Sequence, residues 1–207
     1  MSLNHSAFSR AIQKVVAAHS PNPTKDCQYI AVIAQDALKR LGIKSRLVAG
    51  YAGWRVDSLD AGAVSVHHPS INKIYESNDP NGFWGHVWLE VDQCIVDFTT
   101  FQIPFKINRL DSIDGRKTTI TWKPDYLWLP KTQLLSLHKL INGFKTGAYY
   151  EKDLSVMRDI SKKPPEYNYE LIDLILRIYQ SELNQGMIQI NVTGQSSEFY
   201  QRTALYT

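Results

Sequence analysis

The sequence is short of cysteine, of blocked charge and of long apolar runs, and each shortage removes a class of function. Only two cysteines, Cys27 and Cys94, occur in 207 residues. They are too few for a disulfide framework, and in a reducing compartment both are expected as free thiols. Lys and Arg exceed Asp and Glu by three and lie scattered along the chain, which leaves no electrostatic footprint for nucleic acid or an anionic membrane. The longest apolar run, Ile30 to Ala34, is far too short to span a bilayer. The N-terminal segment also lacks the uninterrupted apolar region and small-residue cleavage site of a secretory signal. The expectation is a cytoplasmic protein with neither nucleic acid nor a membrane as partner.

What is present suits a single domain over residues 1–207, with 43% hydrophobic and 21% charged residues, enough to bury a substantial core. Residues 1–24 read as a helix and a turn. Phe8, Ala11, Ile12, Val15 and Val16 share one helical face, Asn4 or Ser6 is the candidate cap, and Pro21 and Pro23 break the chain. From Cys27 the spacing of Ile30, Ile33, Ala34, Ala37, Leu38 and Leu41 predicts a second helix, with Lys39 and Arg40 in its last turn and Gly42 as its stop. So few of its positions are polar that it belongs in the middle of the fold. Ser45 to Val56 reads as a strand. Asp57 to Gly82 turns repeatedly around a short strand near Ala63 to His67, and loops of this kind often carry substrate contacts. A hairpin follows, then one or two strands in "TTITWKPDYLWLP". Beyond Pro130 the pattern becomes helical, in "KTQLLSLHKLINGF", in Asp153 to Ile160 and in "EYNYELIDLILRIYQSEL", before a last candidate strand, "MIQINV". The expected class is α+β: a central helix packed on an antiparallel sheet within a core of 25–130, and a mostly helical extension over 131–207.

The hairpin is "GHVWLEVDQCIVDFT". A two-residue loop at Asp92 and Gln93 pairs Val91 with Cys94 and Trp88 with Asp97. One face then carries Val87, Leu89, Val91, Cys94, Val96 and Phe98, as expected of a half-buried strand pair. The other carries His86, Trp88, Glu90, Ile95, Asp97 and Thr99. His86 and Asp97 become diagonal neighbours, within reach of a hydrogen bond. An odd-numbered loop would put them on opposite faces. With the pair formed, one ring nitrogen is fixed by the carboxylate and the other is left for a third group. Cys27 is the candidate, because a helix N-terminus and an adjacent imidazolium both lower a thiol pKa. The amides of the same helix start can donate to the oxyanion of a tetrahedral intermediate.

These residues together resemble the transglutaminase-like superfamily of thiol enzymes. "CQYIAVIAQDALKRLGIKSRLVAGY" is similar to its nucleophile helix, Leu-Gly-Ile turn (Leu41, Gly42, Ile43) and strand ending in Gly-Tyr (Gly50, Tyr51). His86, Trp88 and Glu90 match its His-x-Trp-x-Glu strand, and Asp97 and Thr99 its Asp-x-Thr strand. The resemblance covers Lys25 to about Phe101. It implies a papain-like α+β core with Cys27 as nucleophile, His86 as general base and acid, and Asp97 as orienting carboxylate, acting without cofactor. It implies a peptidase or amidase working through an acyl-enzyme on a peptide or other amide substrate. Transfer to an amine acceptor by the same triad and a non-catalytic peptide-binding module are the alternatives. Asp26 departs from the family pattern, and as an N-cap its carboxylate would point at backbone amides.

Several other residues are candidates for the site. Trp84 and Trp88 flank the histidine and are candidate walls of a substrate groove, as is Tyr51; aromatic burial explains them as well. Cys94 falls on the apolar face and is expected in the core. His67 and His68 invite a metal reading with His86, but adjacent strand residues face opposite ways and no spaced ligand set completes a site, so no metal is expected.

Overall fold

The computed structural model describes residues 3–20, 26–57, 64–67, 85–115, 117–162 and 169–184. Trp84, His68, the Pro21–Pro23 breaker, "MIQINV" and most of the Asp57 to Gly82 loops lie outside them. The class is α+β, built on an antiparallel sheet.

Helix α1 (His5–His19) is capped by Asn4, whose side chain accepts from the Ala7 N–H at 3.0 Å. The anticipated stripe from Phe8 to Val16 is buried. Phe8 sits edge-on to both Phe98 and Tyr179, each with ring centroids 5.5 Å away. Helix α2 (Cys27–Arg40) buries Ile30, Ile33, Ala34, Ala37 and Leu38, whereas Leu41, expected on the same stripe, is 38% exposed because the helix has already ended.

Strand β1 (Arg46–Arg55) organises the sheet. Its first half pairs with β3 (His86–Val91), and its second half pairs with β2 (Val64–His67) and with β6 (Gly147–Lys152). Beyond β3 the sheet continues through β4 (Cys94–Asp97) to β5 (Leu127–Pro130). The hairpin register is the one its two-residue loop dictates, Val91 opposite Cys94 and Leu89 opposite Val96. Asp92 supplies the left-handed turn residue at φ 50°, a conformation that Asp tolerates better than most side chains.

The sheet is covered on both faces, unlike the half-buried pair expected. Val87, Leu89, Val91, Val96 and Phe98 pack with α1, α2 and α6 (Tyr169–Leu183). On the other side Trp88 and Ile95 join Val48, Ala52, Trp54 and Tyr150 under Ile103 and Ile107 of α3 (Ile103–Asp114). The described residues beyond Pro130 are mostly helical, with α4 (Leu137–Asn142), α5 (Leu154–Lys162) and α6. They also contribute β6, which pairs with β1 along six residues, so this segment helps build the sheet. The long helix expected over "KTQLLSLHKLINGF" reduces to a 3-10 turn and the six residues of α4.

Candidate active site

Cys27 is the first residue of α2, and the N-cap before it behaves differently from expectation. The Asp26 side chain makes no capping bond to the helix. Its carboxylate instead accepts from Ser20 Oγ at 2.6 Å and from Gln102 Nε2 at 3.0 and 3.2 Å. The first-turn amides of α2 are therefore not consumed by the cap side chain, and four such groups lack partners within any helix.

His86 begins β3 directly after Gly85, which has φ +154°. A Cβ at residue 85 would lie 2.7 Å from Val156 Cγ1 and 2.8 Å from the Gly50 carbonyl oxygen, so both the conformation and the close approach require glycine. This contact fixes where the strand begins, and with it the imidazole. His86 and Asp97 are each 1% exposed. His86 Nε2 and Asp97 Oδ2 are 2.7 Å apart, the diagonal contact that the hairpin register predicts. Nε2 is thereby committed, leaving Nδ1 to face sulfur. The Cys27 thiol is hydrogen-bonded to the His86 ring and also receives the Val87 N–H.

The carboxylate is saturated. Besides His86, Asp97 Oδ2 accepts from the Tyr150 hydroxyl at 2.6 Å, while Oδ1 accepts from the Thr99 N–H at 2.8 Å and Thr99 Oγ1 at 2.7 Å. The Tyr150 oxygen in turn accepts from Trp54 Nε1 at 3.1 Å. Burial and the adjacent Asp97 push the Tyr150 hydroxyl well above its ordinary pKa, so it stays protonated as a donor. Aromatic rings close around the imidazole: Trp54 edge-on at 5.0 Å, Trp88 nearly parallel at 6.3 Å, and Tyr150 at 6.1 Å.

Burial and charge compete at each titrating group, and charge wins. Burial alone would push the Cys27 thiol up; His86, the charge of Lys106 and the Val87 N–H hold it below its ordinary value. Burial would lower the imidazole, yet Asp97 and then Cys27 raise it to about 9. Burial would raise the carboxyl, yet His86, Tyr150 and Thr99 bring it down to about 2. All three shifts favour thiolate, imidazolium and carboxylate in line. Such a site can attack a carbonyl carbon and return a proton to a leaving group.

Cys27, His86 and Asp97 thus come together, with Trp88 packed against the ring and 2% exposed. Tyr51 lies on the other face of β1, among the residues packed against the α1–α2–α6 core, with its hydroxyl bonded to Ser155 at the start of α5. Cys94 is partly buried against that same core as a free thiol. Tyr150, Trp54 and Lys106 escaped the sequence reading. Trp54 shares a face with Gly50, the partner of His86 across the β1–β3 pair, so strand parity was a usable signal for it. Tyr150 offered only a short aromatic pair in "GAYYEK". Among the described residues no cluster of three or more His, Cys, Asp or Glu side chains could hold a metal ion.

No family model matches the chain, and no curated protein matches it. Its fold is similar to that of a crystal structure of a genomics target with 14% sequence identity. That likeness has a TM-score of 0.50 and covers 87% of this chain and 77% of the other. At this identity it concerns the fold alone.

Proposed function

We propose that the protein is a cysteine-dependent hydrolase of transglutaminase-like, papain-like type that cleaves an amide or isopeptide-type bond through an acyl-thioester. One observation carries the reading: the first residue of α2 bears a thiol hydrogen-bonded to an imidazole whose other nitrogen is held, at 2.7 Å, by a buried and fully satisfied carboxylate. Each residue of that line could pack inertly by itself. The joint arrangement, with three pKa shifts in the productive direction, is what structural packing does not require.

In the reaction the Cys27 thiolate attacks the carbonyl carbon. A C–S bond forms, and the π electron pair moves to oxygen, where first-turn amides of α2 donate to it. Collapse breaks the C–N bond as the Nδ1 proton of His86 passes to the departing amine. The neutral imidazole then takes a proton from water, whose oxygen attacks the thioester. Loss of sulfur releases the acid and restores the thiolate–imidazolium pair. Asp97 keeps the ring oriented and its charge compensated throughout. An amine in place of water turns the same intermediate to acyl transfer.

The test uses activated acyl esters such as p-nitrophenyl esters. Mass spectrometry should find the acyl group on Cys27, the adduct should decay in water, and Cys27→Ala should abolish both adduct and turnover while folding normally. Amide product formed with an added primary amine would identify transfer. Labelling confined to Cys94 would defeat the assignment.

A further inference from the structure

Lys106 stands on α3, one residue before the buried Ile107 and two after Pro104. Its ammonium lies 5.7 Å from the centroid of the Trp54 ring, within cation–π range. That same indole stands edge-on to His86 with centroids 5.0 Å apart. The ammonium and the imidazole therefore share one aromatic partner, and the charge of Lys106 reaches the Cys27 sulfur strongly enough to favour its thiolate.

Among the described residues no ion pair engages Lys106. The ion pairs among the described residues engage Asp36, Glu90, Asp97, Asp159, Asp173 and Glu182, each with a cation other than Lys106. Asp26, next to the nucleophile, is occupied by Ser20 and Gln102. In the resting centre the thiolate partly balances the ammonium. Once the sulfur is acylated that negative charge is gone, and no carboxylate of the described residues is paired with this half-buried cation to replace it.

We infer that Lys106, seated on Trp54 beside the reacting pair, is a specificity residue that receives a carboxylate carried by the substrate near its scissile carbonyl, so that acidic peptides and other carboxylate-bearing amides are the substrate class. The inference rests on Cys27 being the nucleophile. A lysine at this place prefers an anion to a neutral side chain because the indole and the surrounding apolar residues screen it less than water does. The carboxylate pairs with the ammonium in the acyl-enzyme, when the sulfur no longer can.

Two small reagents differing only in this feature test it without a known substrate. Iodoacetate and iodoacetamide both alkylate a thiolate, which displaces iodide as the C–S bond forms, but only iodoacetate carries a carboxylate beside the reacting carbon. The rates of Cys27 modification are followed by mass spectrometry of its peptide. Lys106→Gln should lower the iodoacetate-to-iodoacetamide rate ratio by roughly five- to tenfold, the worth of one partly shielded charge pair. Lys106→Arg should restore it, and Arg109→Gln, one turn further along α3, should leave it unchanged. In the unmodified protein, added salt should lower the same ratio. A ratio unaffected by Lys106→Gln, with both reagents slowed equally, would mean that the charge acts on the thiolate alone and would overturn the inference. An equal fall in Arg109→Gln, or a ratio indifferent to salt, would do the same. Failure of both reagents to modify Cys27 in the unmodified protein is a different result: it removes the nucleophile itself, and the carboxylate site with it.

Discussion

Four hydrogen bonds converge on Asp97, and they explain why a carboxylate can be charged at 1% exposure. The charge holds the His86 proton up to about 9. The sign of the pH dependence follows. In the proposed reaction the imidazolium protonates the leaving amine below that value; above it the proton is gone and kcat/KM should fall, so the alkaline limb of the profile belongs near 9, with the thiol–imidazole pair titrating as a unit. In Asp97→Asn the favourable charge is removed while burial remains, so the imidazole pKa falls and the thiol pKa rises. The alkaline limb should then move to lower pH, and kcat should drop by up to about 10⁴-fold, the loss seen for the same substitution in a serine-dependent site. Removing one partner from a buried ion pair also costs about 3–5 kcal/mol of stability. A pH profile with the alkaline limb in the same place for both proteins would contradict this role.

At the scale of elements, Gly50 tests how β6 is held. A Cβ there would lie 2.0 Å from the Glu151 carbonyl oxygen and 2.6 Å from the Asp153 amide nitrogen, and backbone cannot move aside cheaply. Gly50→Ala should push the end of β6 away from β1 and destabilise the protein by about 1–3 kcal/mol, read as a lower denaturant midpoint. An unchanged midpoint would mean that β6 is not seated as described. The elements carrying Cys27, His86 and Asp97 are legible in the sequence because their signals are local: an apolar stripe at helical spacing after Cys27, and an even loop that forces His86 and Asp97 onto one face. Helix α3 was not legible, since only Ile103 and Ile107 of its apolar residues are buried while Phe105, Leu110 and Ile113 are exposed, which blurs the period. Pro104 in its first turn and the left-handed Gly115 at φ 66° were the remaining signals. Likewise, Leu134 is extended at ψ 145°, which splits a stretch whose leucines suit a continuous helix. Tertiary pairing with β1 overrides the local pattern in β6.

At the scale of the molecule, the site is assembled from distant parts of the chain: sulfur from α2, imidazole and carboxylate from the β3–β4 hairpin, the Tyr150 hydroxyl from β6. The residues after Pro130 therefore complete the hydrogen bonding of Asp97, a long-range consequence of β6 pairing with β1 that no local periodicity encodes. Burial of the sheet on both faces gives that support its rigidity and lowers the screening around the charges. Among the described residues no helix is long and apolar enough to cross a membrane.

The most direct test of the account is the pKa of the Cys27 thiol, measured from the pH dependence of its alkylation by iodoacetamide. The arrangement at α2 predicts a value below that of an ordinary thiol, about 8.5, and a rise in Asp97→Asn. An ordinary or elevated value, insensitive to Asp97, would contradict the claim that the imidazole and its carboxylate act on this sulfur.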